Sequence, residues 1–456
     1  MKRIPILLVS LILAACGGGG SAADPRVDSQ AIGSLSAPFA QAADPIVIAP
    51  VVQPALVPID SCAVAKHQYG EVTYPIEYSG AFPIPIPTQK LPTSIKRGIG
   101  LKDYYPGYLG LPKGCTNRTL FAHNTYKESL DRVLMDGADS ITLYNFGPWD
   151  DIKKPVFTIL KSNYQVPESE MIYIIQEAKK RNLKVYTVWQ FWFSDINGNQ
   201  APAQDSPKFP DFFKAAMDTW QVHVVEQAKF ANQHGVDGVY VDFANYIEYF
   251  SDKPYYQEYI DKMYSIVTEV KGVYSGKLLY GQLDPTAIDA RFAGKIDAIR
   301  ISMGFYETSP NYITNVSVPL IKNRYDDHIK NLGQKLEKLN IPVIWVIALR
   351  SKDNAFVNGF VEDSGCVNKC EQLGAKTDFS IQAIAYEAAM ESVYRQSYFQ
   401  TYGVEASSYW LTDDVAPTYW GIDVLIPSQV QYDFPNISPS IRNKPAEGIV
   451  RQWFSR

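Results

Sequence analysis

Gln233-His234-Gly235-Val236-Asp237-Gly238-Val239-Tyr240-Val241-Asp242-Phe243-Ala244-Asn245-Tyr246 is the stretch that decides the fold. A helical pattern runs out at His234, Gly235 supplies a cap residue that tolerates positive φ, and a β-branched and aromatic run follows before an acid, Asp242. A carboxylate at the C-terminal end of a short buried strand, with Asn245 and Tyr246 close behind, is where a parallel α/β barrel keeps its chemistry. An isolated Asp at such a place has an equal claim to capping a helix or pairing with a basic neighbour. The rest of the chain separates the two, because it repeats the same unit.

After Lys96, strand-like runs at 98–103, 140–146, 184–192, 238–243, 277–283, 298–303, 342–349 and 407–412 alternate with helical patterns. The helices are expected at 126–135, 168–181, 210–234, 256–270, 286–292, 318–339 and 380–402, with a last one at 445–453. Apolar strands separated by helices call for parallel pairing with right-handed crossovers. The predicted fold class is therefore α/β, a (β/α)8 TIM barrel over 94–456, and no second domain is required.

Alternate side chains of a barrel strand point inward. That rule places Gln190 and Trp192 of the third strand, Tyr240 and Asp242 of the fourth, and Gln282 and Asp284 of the fifth on the inner side. Arg300 and Ser302 of the sixth, Arg350 ending the seventh, and Thr412 with Asp414 of the eighth join them, and Tyr144 is the candidate from the second. So many charged and amide groups are costly to bury for packing alone, which makes this rim the expected active-site floor.

The first residues are of another kind. Met1-Lys2-Arg3 and the apolar run 4–13 have the form of a secretory signal, too short to span a bilayer permanently. The signal ends Leu13-Ala14-Ala15-Cys16, which resembles a bacterial lipobox, and a run of glycines, 17–20, follows. The resemblance implies cleavage after residue 15, lipidation of Cys16 and a folded part held outside the cytoplasm, most simply at the outer membrane. Residues 16–93, rich in Ala, Pro and Val, form the expected tether and N-terminal extension. Four further cysteines, Cys62, Cys115, Cys366 and Cys370, are an even number in an oxidising compartment. Three pairings are possible; closeness favours Cys366 with Cys370, leaving Cys62 with Cys115. No second close Cys pair or adjacent His completes a zinc site around them.

A net charge of -5 provides no basic stripe, which argues against a nucleic-acid partner. No Gly-rich phosphate loop stands out, so no nucleotide cofactor is indicated, and the five histidines assemble neither a two-His metal motif nor a Ser/His/Asp set. What the strand ends do offer is carboxylates among aromatics, the requirements of glycoside hydrolysis. Trp149, Trp189, Trp192, Trp410 and Trp420 fall at or just past strand ends, where rings can stack on sugar faces, and Trp192 and Trp410 have inward parity.

The chain resembles the (β/α)8 glycoside hydrolases of bacterial secreted and lipoprotein type. The likeness rests on residues 235–242, on Ser408-Tyr409-Trp410-Leu411-Thr412-Asp413-Asp414 and on Arg442-Asn443-Lys444-Pro445-Ala446-Glu447. The resemblance implies a polysaccharide substrate and no cofactor. The cellulase-like clan carries Asn-Glu after strand four and Glu after strand seven, whereas Asp242-Phe243 and Leu349-Arg350 stand here, closer to the α-amylase, α-galactosidase and endo-α-galactosaminidase-like patterns without selecting one family. Within that frame Asp242 is the expected nucleophile or base, kept ionised by Arg300 or Arg350. Asp284 is the first choice for the acid and Glu307 the second, with Glu248, Asp413 and Asp414 behind them. A glycan-binding lipoprotein on the same scaffold is the competing expectation, since a binder needs the aromatics without the carboxylate pair. Fractionation tests the anchor: Cys16→Ser is expected to release the protein from the membrane fraction or leave it unprocessed, and parental behaviour would remove the lipobox assignment.

Overall fold

The computed structural model describes residues 80–102, 125–154, 168–195, 199, 201–202, 206–241, 255–281, 290–303, 316–336, 340–351, 355, 378–410, 440–442 and 444–455. Eight parallel strands close into one barrel in sequence order: β1 (Lys96–Lys102), β2 (Ser140–Trp149), β3 (Lys184–Asp195), β4 (Gly238–Tyr240), β5 (Lys277–Gly281), β6 (Ala298–Met303), β7 (Val343–Ile347) and β8 (Thr401–Trp410). Closure is made by β1 pairing in parallel with β8. The helices are α1 (Thr125–Met135), α2 (Glu168–Lys180), α3 (Phe209–Gln233), α4 (Tyr256–Val273), α5 (Val318–Leu336), α6 (Phe379–Arg395) and α7 (Pro445–Phe454), with a 3₁₀ turn at Ala290–Phe292. The expected (β/α)8 architecture is what the chain adopts.

Two apolar clusters follow from strand alternation. Between sheet and helices lie Ile99, Ile141, Val185, Val239, Tyr280, Ile301, Trp345 and Val404 with the buried faces of the helices. On α3 that face is Phe209, Phe213, Met217, Trp220, Val224, Ala228 and Ala231, the spacing of three and four that one side of an α-helix requires. Inside the barrel lie Tyr144, Tyr186, Val188, Tyr240, Leu279, Ala298, Ile344 and Val346.

One short phrase is used three times to enter a strand. Gly137, Gly235 and Gly294 end their helical segments at φ 83, 68 and 75°, a conformation that favours glycine. A buried apolar residue comes next or one later, Ala138, Val236 or Ile296, and then an aspartate: Asp139, Asp237 or Asp297. Each aspartate accepts from the second amide of the preceding strand: Asp139 Oδ1 from Arg97 N at 3.0 Å, Asp237 Oδ2 from Val185 N at 2.8 Å, and Asp297 Oδ2 from Leu278 N at 2.9 Å. The side chain thus ties each strand start to the next at the N-terminal face of the barrel. Burial would raise the Asp237 pKa, but Lys179, the Val185 amide and Lys184 hold it below the usual carboxylate value.

Three expectations change here. Residues 380–402 do not form one helix: α6 ends at Arg395, and β8 starts at Thr401 rather than at 407. The segment 80–93 lies on the barrel instead of belonging to a free tether, with Leu91 buried, its amide bonded to Trp453 O at 2.9 Å and Ala81 N bonded to Asp378 Oδ2 at 3.2 Å. On β5 the inward parity is odd: Leu279 faces the interior while Tyr280 packs on Phe292 at 5.4 Å between ring centroids. The parity that brought Gln282 and Asp284 inward is therefore reversed within the strand, although both residues lie outside the described ones.

At the N-terminal face Asp136, fully buried, accepts from Arg451 Nε at 2.9 Å, and Arg132 Nε donates to Glu447 at 2.7 Å, so α1 and α7 share a four-residue charge cluster. Burial and the Glu447 charge push the Asp136 pKa up to about 7, against the opposing pull of Arg451. A carboxyl whose folded pKa is raised holds its proton longer in the folded state than in the unfolded one, so stability falls as pH rises from the usual carboxylate value towards about 7. Melting temperatures measured across that window are expected to decline with pH, and Asp136→Asn is expected to flatten the decline; an equal slope in both proteins would show that Asp136 does not titrate there.

Candidate active site

In a barrel interior, side chains from alternate strands share a layer, normally of Val, Ile and Leu. The odd strands contribute the aliphatic Val188, Leu279, Ile344 and Val346, with Tyr186 of β3 as an aromatic exception. The even strands contribute Tyr144 from β2, Tyr240 from β4, Arg300 from β6 and Glu405 from β8. Glu405 is the centre of this layer. Its Oε2 accepts from Thr142 Oγ1 at 2.6 Å, and its Oε1 accepts from the Tyr144 hydroxyl at 2.7 Å and from Arg300 Nη2 at 3.0 Å. Arg300 Nη2 also donates to the Tyr144 hydroxyl. The guanidinium lies over the Tyr144 ring at 5.2 Å and the Tyr240 ring at 5.7 Å, within cation-π range of both.

Small residues make the layer possible. A Cβ on Gly100 would fall 2.9 Å from Glu405 Oε1 and 3.2 Å from Tyr144 Cε2, and one on Gly98 would meet Ser140 Oγ at 3.3 Å and Glu405 Cβ at 3.6 Å. Gly281 stands in register beside Arg300 on β5 and adds no side chain there. β1 and β5 thus stay open where β8, β2 and β6 are bulky.

The protonation states follow from burial and neighbours. Burial drives the Tyr144 hydroxyl well above its usual pKa, with Arg300 opposing and Glu405 adding to the rise. Burial likewise drives Tyr240 upward. Burial alone would lower Arg300, but Tyr144, Glu405 and Tyr240 hold it above its usual value. The layer therefore contains a guanidinium cation and two protonated phenols around Glu405. No group of three or more potential metal ligands occurs among the described residues.

Of the residues expected at the site, Tyr144, Tyr240 and Arg300 come together in this layer. Arg350 is buried at the end of β7 beside Lys444, whose pKa is pushed well down by burial and by the Arg350 charge; Lys444 Nζ donates to Ser351 Oγ at 2.9 Å. Gln190 and Trp192 belong to β3, and Trp410 is the last residue of β8, in register with Lys102. Asp242, Asn245, Asp284, Glu307 and Asp414 lie outside the described residues, as do Glu248, Asp413 and the five cysteines. Val241, just before Asp242, still donates its amide to Leu279 O at 3.0 Å, so the ladder continues to the residue preceding the acid. Trp189 faces outward, edge-on to His223 of α3 at 5.8 Å, and is not a sugar platform.

Glu405, Thr142 and Ser407 are absent from the expected site. The signal for Glu405 was available, since Gly403-Val404-Glu405-Ala406-Ser407 has the alternation of a half-buried strand, but an overlong α6 concealed it. A β-bulge deepened the error: the β1 to β8 register shifts between Ile99 and Leu101, so a parity counted along β8 alone does not carry through the strand.

No protein-family profile and no curated protein sequence matches the chain. Solved structures do. A GH113 β-1,4-mannanase complex superposes with a TM-score of 0.53 at 16% identity, covering 80% of this chain and 100% of its own. A second GH113 β-1,4-mannanase structure gives 0.51 at 17% over 80% and 99% of the two chains. The GH113 β-mannanase from Alicyclobacillus acidocaldarius, in complex with ManMIm, gives 0.52 at 14% over 79% and 97%. At such identities the likeness establishes the fold, the (β/α)8 barrel also used by these glycoside hydrolases.

Gly100→Ala tests the packing of the layer. Overpacking of this kind costs about 1–3 kcal/mol, so chemical denaturation is expected to show a loss of that size. A variant as stable as the parent would mean that Glu405 and Tyr144 can retreat from β1.

Proposed function

We propose that this chain is a glycoside hydrolase acting on a cell-envelope or extracellular polysaccharide at the C-terminal rim of the barrel. The observation that carries the reading is the even-strand layer Tyr144, Tyr240, Arg300 and Glu405, which places aromatic faces and a paired cation where packing alone would use aliphatic groups. Asp242, next in sequence to Val241 at the end of β4, is the proposed nucleophile or base, and Asp284 or Glu307 the proposed general acid. Tyr144, Tyr240 and Arg300 floor the sugar site, and Gln190, Trp192, Asn245, Arg350, Trp410 and Asp414 are the candidates for its walls. The likeness to mannanases supports a β-linked polymer as the first substrate to test. Attachment through Cys16 would keep the enzyme at the envelope, and disulfides among Cys62, Cys115, Cys366 and Cys370 belong to the same proposal.

One observation favours a binding module instead. Glu405 is the only acidic residue in the interior layers among the described residues, and its oxygens are already taken by Thr142, Tyr144 and Arg300. Catalysis then depends wholly on rim carboxylates. Hydrolysis of β-mannan and other envelope polysaccharides by the parent and by Asp242→Asn, Asp284→Asn and Glu307→Gln separates the two readings. Asp242→Asn is expected to lower kcat by about 10²-fold or more while glycan affinity persists, because it removes charge that stabilises an oxocarbenium-like transition state. Full activity in Asp242→Asn would overturn its role, and a parent that binds glycans and cleaves none would establish the binding module.

A further inference from the structure

We propose that Glu405 is a positioning residue of this site: it locks the Arg300 guanidinium and the Tyr144 hydroxyl, so that the accessible part of the Arg300 side chain is held in one orientation towards an oxygen of the sugar. The inference rests on the glycan reading above and adds to it the device that orients the floor.

Glu405 itself is out of reach of a ligand, its side chain 3% exposed, whereas Arg300 beside it keeps 19% of its side chain accessible. The carboxylate fixes the direction of the Tyr144 proton, because that hydroxyl donates to Glu405 and accepts from Arg300. With the Nη2 edge of Arg300 so engaged, the guanidinium cannot turn without breaking two charge-assisted contacts. The remaining donors are unspent. Arg300 Nε and the Tyr240 hydroxyl are buried and have no hydrogen-bond partner among the described residues. A buried donor left unmade is expensive, and in native structures such groups are few. Both belong to one layer, with the Arg300 guanidinium 5.7 Å from the centre of the Tyr240 ring. Neither atom is accessible from outside, so the contact with a sugar hydroxyl falls to the exposed part of the Arg300 side chain.

The test compares the full-length parent with Glu405→Gln and Glu405→Asp. The second variant keeps the charge that compensates Arg300 and so guards against a failure to fold. With each protein verified as folded at the assay temperature, both variants are expected to lose about 10²-fold in kcat/KM, the scale of a misplacement near 1 Å, or the same factor in glycan affinity if the parent only binds. A second readout is stability: the loss is expected to persist in Glu405→Asp at a melting temperature near the parental one, since that variant keeps the charge that compensates Arg300. A folded Glu405 variant with parental kcat/KM overturns the positioning role alone. A parent that neither binds nor cleaves any glycan overturns the glycan reading and this proposal with it.

Discussion

A carboxylate and a guanidinium buried inside a barrel of aliphatic and tyrosine side chains constrain almost everything around them. Neither charge survives there unpaired, because an uncompensated buried charge costs about 3–5 kcal/mol. Glu405 therefore needs Arg300, and the oxygens that Arg300 leaves open need Thr142 and Tyr144. Those two bulky phenol and guanidinium groups need space, which Gly98, Gly100 and Gly281 leave on the neighbouring strands. A hydrophobic layer of equal volume would fold with less to satisfy. That the chain carries the polar layer instead is the physical ground for looking to it for function.

The opposite end of the barrel solves a different problem. Three aspartates, Asp139, Asp237 and Asp297, each hold the second amide of the preceding strand, so the register between neighbouring strands is set by a side chain as well as by the ladder. Carboxyl groups with structural partners thus gather at the N-terminal face, with Asp136 and Glu447 among them. The ionisable groups of the interior lie within the strands, Glu405 fifth of the ten residues of β8 and Arg300 third of the six of β6. In parallel barrels the C-terminal ends of the strands beyond them are free to carry chemistry.

How much of this was legible in the sequence differs between the two ends. The phrase of Gly, apolar residue and Asp before a strand is local: its glycine conformation, its buried residue and its carboxylate all act within a few residues or on the adjacent strand. It can be recognised wherever it recurs, and with the alternation of apolar strands and amphipathic helices it was enough for the barrel, for eight strands near their observed places, and for Tyr144, Tyr240 and Arg300 as inward residues. The parity rule failed on β5, where Tyr280 faces the helices, because one residue of error in a strand's phase inverts every side chain.

Glu405 lay beyond that reach. Its partners are 263, 261 and 105 residues away in the chain, so no spacing near it announces an ion pair. A helical pattern extended through Gln396 concealed its strand, and the bulge that shifts the β1 to β8 register is a property of two paired strands. By itself the sequence determined the local units and their order, because propensity, capping and alternation are short-range. Only the closed tertiary structure decided which four side chains share a layer, because that depends on register around the whole barrel, and a register is defined between strands and not within one.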